Sequence, residues 1–75
     1  MDENICEQII EEIKNLPAGT TFTIKEFLDK QNVDNSLYLK LSMTIIAGIR
    51  EFVKIHEDDK GAFNGLPFVY RYVKK

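Results

Sequence analysis

The apolar residues of the first sixteen positions recur with the spacing of an α-helix. Ile5, Ile9 and Ile13 are four residues apart, and Leu16 follows three residues later, so their side chains share one face of a helix. Glutamates and a lysine occupy the opposite side. The pattern therefore predicts an amphipathic helix over residues 3–16, with its apolar face turned toward a core.

The stretch after this helix combines a helix stop with a helix start. Pro17 and Gly19 are typical of the end of a helix, and the β-branched and aromatic residues at 20–23 favour an extended strand. Thr23 and Glu26 have the spacing of a capping box, in which the Thr hydroxyl and the Glu carboxylate each accept a backbone N–H. We therefore predict a short strand that leads directly into a second helix.

Two helices and a connector follow. The second helix is predicted over residues 24–31, and Asp34, Asn35 or Ser36 can cap the third helix, predicted over residues 36–50. The apolar arc of the third helix covers more than half of its circumference, which indicates burial by more than one neighbour or by a second subunit. Its main apolar stripe consists of Leu37, Leu41, Ile45, Ile49 and Phe52.

The C-terminal third has the pattern of a β-hairpin. Residues 52–57 alternate roughly between apolar and polar, and residues 68–73 are rich in aromatic and β-branched side chains, which favours two strands. Turn signals lie between them at residues 58–61 and at Asn64-Gly65. We therefore expect a hairpin with a glycine-containing loop.

The order of these elements is α-β-α-α-β-β, within one domain that spans residues 1–75. This order resembles the winged helix-turn-helix, an α+β fold of three helices and a small antiparallel sheet. In such proteins the third helix presents its outer face to the DNA major groove, and the hairpin loop forms the wing. The strand at residues 20–23 is then expected to pair with the C-terminal hairpin.

A narrower resemblance rests on short motifs. The run LPAGTTFTIKEF is followed by a Tyr- and Leu-rich helix, by R-x-F, by N-G-x-P and by a Y-x-Y strand. These features resemble a group of short bacterial and phage proteins that open with L-P-x-G-T-x-F-T, then Ile or Leu, Lys, an acidic residue, and Phe or Leu. That resemblance implies the winged-helix fold and DNA binding, which is presumed for the group from its fold.

Composition narrows the classes of function. The chain has 75 residues, one Cys and one His, so we expect no internal disulfide, no zinc site and no cofactor, which leaves oligomerisation as the remaining means of adding stability to a small domain. No apolar run approaches the roughly 20 residues that span a bilayer. The acidic N-terminus is unlike a signal peptide, and with a free thiol it favours a cytoplasmic location.

Charge is distributed unevenly along the chain. The net charge is −2, but residues 1–34 carry a net charge of −5 and residues 35–75 a net charge of +3. A basic second half can direct one face toward an anionic partner even when the whole molecule is acidic. This asymmetry favours double-stranded DNA as the partner, although both Asp58 and Asp59 on the expected wing would repel phosphate.

The resemblance assigns DNA contacts to the outer face of the third helix, to the wing and to flanking cations. Lys and Arg can reach phosphates or guanine edges, and Ser and Thr can contact either. Met43 and Ala47 lie between the polar residues of the helix, and Lys74 and Lys75 would add sequence-independent attraction. The candidate contacts are Lys25, Ser36, Lys40, Thr44, Arg50, Lys60, Asn64 and Arg71.

Other interpretations remain open. Lys40 and Arg50 can instead form an ordinary solvated helix face, and the acidic first helix favours a winged-helix module that binds a protein partner or forms a homodimer. An enzyme is not expected, because the sequence has no phosphate-binding loop and no catalytic constellation. Cys6 is expected to be a buried apolar residue, His56 a surface residue and the eight aromatic residues mainly core.

Overall fold

Three helices pack against a three-stranded sheet in the computed structural model, which describes residues 2–59 and 66–75. The α+β class, the three helices and the antiparallel sheet of the sequence prediction are confirmed. The elements of the described part are α1 (Asp2–Lys14), β1 (Thr21–Thr23), α2 (Ile24–Lys30), α3 (Tyr38–Ile49), β2 (Val53–Ile55) and β3 (Arg71–Lys74).

The sheet has the strand order β1-β3-β2, and both pairings are antiparallel. Tyr72 in the central strand lies opposite Phe22 on one side and Ile55 on the other, so the three side chains share the face that packs on the helices. The expected pairing of the strand after α1 with the C-terminal strand is therefore confirmed. Gly19, at φ +90°, makes the turn into β1 and donates its N–H to the Lys74 carbonyl over 2.7 Å.

The predicted capping box joins β1 to α2. Thr23 is extended, with φ −119° and ψ 151°. Its hydroxyl accepts the Glu26 N–H over 3.2 Å, and the Glu26 carboxylate accepts the Thr23 N–H over 3.1 Å. Two backbone donors at the start of α2 are thereby satisfied without any tertiary contact.

The start of α3 differs from the prediction. Residues Asn35–Leu37 form a 3₁₀ turn, and the α-helix begins only at Tyr38. Asp34 caps this turn because its carboxylate accepts the Ser36 N–H over 3.0 Å, and that bond lowers the pKa of Asp34 below its ordinary value. The 3₁₀ turn is the tighter, i-to-i+3 form that commonly opens an α-helix.

The core is centred on α3. Its buried face packs against α1, α2 and the sheet, and Cys6 is buried among these apolar side chains as expected. α1 approaches α3 closely at Gly48, where a Cβ would lie 2.6 Å from Ile10 Cδ1. Ser42 is the buried polar residue of this face, and its hydroxyl donates to the Leu39 carbonyl over 2.9 Å. Among the described residues, the completely buried apolar side chains are Ile9, Ile13, Ile24, Leu28, Ile45 and Ile49.

The C-terminal strands are shorter than predicted. The strand expected over residues 68–73 starts at Arg71, because Pro67–Val69 forms a 3₁₀ turn in which Phe68 packs edge-on against Tyr38, with ring centroids 5.4 Å apart. The strand expected over residues 52–57 ends at Ile55, before a second 3₁₀ turn at Glu57–Asp59. The turn signals at residues 60–65 lie outside the described residues.

Candidate nucleic-acid interface

Two cations lie on the outward side of α3, Lys40 within the helix and Arg50 as the C-cap residue directly after Ile49. Lys40 and Arg50 are both exposed, and neither forms an ion pair with any residue that the structure describes. The two positions are ten residues apart, which corresponds to about 15 Å along a helix axis. Both side chains are long cations that can bind phosphates.

Small and polar residues occupy this face between the cations. Thr44 is exposed, and its hydroxyl donates to the Lys40 carbonyl over 3.3 Å. Ala47 is exposed one turn later, and Ser36 lies in the 3₁₀ turn that precedes the helix. A face of this kind allows the helix backbone to approach base edges closely. The structure therefore brings Ser36, Lys40, Thr44 and Arg50 together on one helix, its entry turn and its C-cap.

Lys25, in contrast, is held by residues of its own fold. Its ammonium group forms an ion pair with Asp29 over 2.7 Å and lies 5.8 Å from the centre of the Tyr38 ring. The Tyr38 hydroxyl donates to the same carboxylate. The hydrogen bond from Lys25 and then that from Tyr38 lower the pKa of Asp29. These contacts link α2 to α3, and they compensate the charge of Lys25 before any ligand binds.

Arg71 is also paired within the chain. Its backbone N–H donates to the Asp59 carboxylate over 2.8 Å, and its guanidinium forms two further hydrogen bonds of 3.2 Å to both oxygens of that carboxylate. Asp58 lies 3.5 Å away. Arg71 lowers the pKa of Asp59. The sequence interpretation treated the aspartates as repelling phosphate and Arg71 as attracting it, whereas in the structure these charges bind one another.

This aspartate–arginine cluster closes the base of the segment between β2 and β3. The His56 backbone N–H donates to the Arg71 carbonyl over 2.9 Å, and its ring nitrogen Nδ1 accepts the Asp58 N–H over 3.2 Å. His56 is partly exposed, with 30% of its side-chain surface accessible, and it lies directly after the end of β2. The wing candidates Lys60 and Asn64 lie outside the described residues.

Sequence reasoning did not identify an apolar groove beside α3. The groove has a volume of about 550 Å³ and runs between α3, β2 and the segment that leads into β3. Met43, which sequence reasoning placed only as a spacer between polar residues, lines it with 60% of its surface exposed. A methionine on an otherwise polar helix face was the available signal. The groove is lined by Met43, Ile46, Arg50, Val53, Lys54, Ile55, Pro67, Tyr70 and Tyr72.

The described residues offer neither a metal site nor a membrane-spanning helix. Among the described residues, no group of three or more His, Cys, Asp and Glu side chains is placed to hold a metal ion. In the same residues, no helix combines the length and apolar character that crossing a membrane requires. Comparisons with protein-family models, with curated proteins and with solved structures find no match.

Proposed function

We propose that the chain is a winged helix-turn-helix protein that binds double-stranded DNA and acts as a small cytoplasmic transcriptional regulator. The observation that supports this most directly is the outward face of α3, where Lys40 and Arg50 have no carboxylate partner among the described residues. The other two candidate cations with described positions, Lys25 and Arg71, are both paired with aspartates. Positive charge is thus left available on the helix that the fold would present to DNA.

In this proposal α3 lies in the major groove. Lys40 and Arg50 bind phosphates or guanine edges, and Thr44 and Ala47 lie close to the bases between them. α2 supports α3 through the Asp29–Tyr38 hydrogen bond. With few base-reading side chains, most of the affinity comes from phosphate contacts and falls as the salt concentration rises.

The test is a binding titration with a mixed-sequence duplex of about 20 base pairs at low salt, read by fluorescence anisotropy. We expect Lys40→Ala and Arg50→Ala each to weaken binding by about threefold to tenfold. Lys14→Ala is the matched control, because it removes the same charge from α1, where Lys14 lies 3.7 Å from Glu11. Absence of duplex binding at low salt, or an equal loss of duplex affinity in all three variants, would overturn the proposal.

A second candidate function is supported by apolar residues on the same helix. Leu39 and Met43 of α3 are 47% and 60% exposed, and DNA contact does not require large apolar side chains there. They favour a winged-helix module that binds another protein or forms a homodimer. Size-exclusion chromatography with light scattering distinguishes a dimer from a monomer, and protein binding through apolar contact would persist at salt concentrations that abolish DNA binding.

A further inference from the structure

The groove beside α3 has the composition of a binding site for another molecule. Its floor and walls are built from apolar and aromatic side chains of α3, β2 and residues 67–72, and its volume is about 550 Å³. Binding sites in proteins commonly fall within the range of about 300–1,000 Å³. Met43, which lines the groove, is 60% exposed, so the groove can be reached from solvent.

Exposed apolar surface is concentrated on the elements that form this groove. Five large apolar residues of the described part are exposed, and each belongs to α3, to β2 or to residues 66–69. None belongs to α1 or α2, whose large apolar residues are buried or half-buried where described. Exposed apolar residues concentrated on a few elements of a small domain favour an interaction surface there. The exposed residues are Leu39, Met43, Ile55, Leu66 and Val69.

Charge selects the kind of partner. The charged residues that line the groove, among those described, are Arg50 and Lys54, and both are cations. A second copy of the chain joined through a two-fold axis would place this cationic surface against itself, because such an interface uses the same patch on both subunits. An acidic segment would instead complement it.

We propose that the groove binds a segment of a partner protein in which carboxylates flank one or two large apolar side chains. The apolar side chain packs against Met43, Ile46 and Tyr70, and a carboxylate pairs with Arg50. This inference does not depend on DNA binding. Because Arg50 belongs to both surfaces, a chain that also binds DNA would bind the acidic segment and DNA competitively.

The experiment is a titration of ¹⁵N-labelled protein with synthetic peptides, followed by amide chemical shifts. The probe is a ten-residue peptide of alternating Glu and Asp with one Leu and one Phe at its centre. Two matched peptides replace either the acids by Lys or the Leu and Phe by Ser. We expect saturable shifts at Met43, Ile46 and Tyr70 with the first peptide only.

Two variants test the site with a charge-matched control. Met43→Glu and Thr44→Glu each add one carboxylate to the exposed face of α3, but only Met43 lines the groove. We expect Met43→Glu to lower the affinity for the acidic peptide by at least about tenfold and Arg50→Ala to lower it by about tenfold. Thr44→Glu should lower it by less than about twofold. Dispersed amide spectra of each variant confirm that it is folded.

Several outcomes would overturn the inference. These are no shift with the acidic peptide at millimolar concentration, equal binding of the lysine peptide, or equal effects of the two glutamate substitutions. Shifts of groove amides on raising the protein concentration, without peptide, would assign the groove to a second copy. Duplex binding is measured separately, so a chain that binds DNA but no peptide, or peptide but no DNA, identifies which proposal failed.

Discussion

At the residue scale, Asp29 connects α2 and α3, the two helices of the proposed DNA-binding unit. Its carboxylate accepts hydrogen bonds from Lys25 of α2 and from the Tyr38 hydroxyl of α3, and both lower its pKa from the ordinary value of 3.8. A carboxyl group whose pKa is lower in the folded than in the unfolded state stabilises the fold at pH values above its unfolded-state pKa. That contribution is lost as the pH falls through the folded-state pKa.

We therefore predict a specific pH dependence for Asp29→Asn. The variant should have a lower free energy of unfolding than the parent chain at pH 7, and the difference should shrink as the pH falls below about 4. Urea unfolding at pH 7, 5, 4 and 3 measures this difference. Asp34 and Asp59, whose pKa values are also lowered, are present in both chains, so their contributions cancel.

Lys25→Met provides the matching test from the other partner. Lys25 is the largest cause of the lowered pKa of Asp29. Removing its ammonium group should therefore make the free energy of unfolding fall less steeply with pH than in the parent chain, although the Asp29 carboxylate is still present. If the curves of the parent and both variants run parallel between pH 7 and pH 3, the Asp29 contacts do not contribute to the acid sensitivity of the fold.

Residue contacts were predictable from the sequence only where both partners are close in the chain. Thr23 and Glu26 are three residues apart, and their spacing alone indicated the capping box. Arg71 and Asp59 are twelve residues apart, and their pairing depends on how β3 is placed beside the turn after β2. The sequence predicted the type of charge at each position, but not that Asp59 neutralises Arg71.

At the scale of elements, the capping box fixes where β1 ends and α2 begins. The hydroxyl of Thr23 accepts the Glu26 N–H, and α2 is only seven residues long. We predict that Thr23→Ala lowers the free energy of unfolding by about 1 kcal/mol, because one backbone donor at the start of α2 loses its partner. Chemical unfolding monitored by circular dichroism measures this change.

Thr23→Ser is the control for this prediction, since it keeps the hydroxyl and removes one methyl group. The serine variant should retain most of the parent stability, because serine caps helices at least as well as threonine. An equal loss in the alanine and serine variants would mean that the Thr23 methyl group, in strand pairing or packing, stabilises this junction and that the hydroxyl does not.

Helical periodicity predicted the three helices well because each has a continuous apolar face. Strand preference was misleading where a tertiary contact outweighs it. Residues 68 and 69 are Phe and Val, which favour a strand, yet Pro67 opens a 3₁₀ turn there and Phe68 packs against Tyr38. The groove beside α3 was missed for a related reason, since its walls combine residues 43–55 with residues 67–72, which are separated in sequence.

For the whole molecule, the placement of charge separates two surfaces. The outer side of α1 carries exposed glutamates. The neighbouring helix α3, against which α1 packs, instead carries exposed cations that have no carboxylate partner among the described residues. The asymmetry between the halves of the sequence is therefore also an asymmetry between elements. Because pairing with Asp29 and Asp59 compensates two further cations, the available positive surface is smaller than the sequence count suggests.

This small positive surface predicts a weak salt dependence of duplex binding. Each phosphate contact contributes a slope of about −0.9 to log K against log salt, so contacts by Lys40 and Arg50 alone give a slope of about −2. Lys40→Ala should bring it to about −1, while Arg71→Met should leave it unchanged because Asp59 holds that guanidinium. Anisotropy titrations at four salt concentrations measure these slopes. A parent slope of about −5 or steeper would place the phosphate contacts on cations outside α3. The same conclusion would follow if Arg71→Met made the slope as much shallower as Lys40→Ala does.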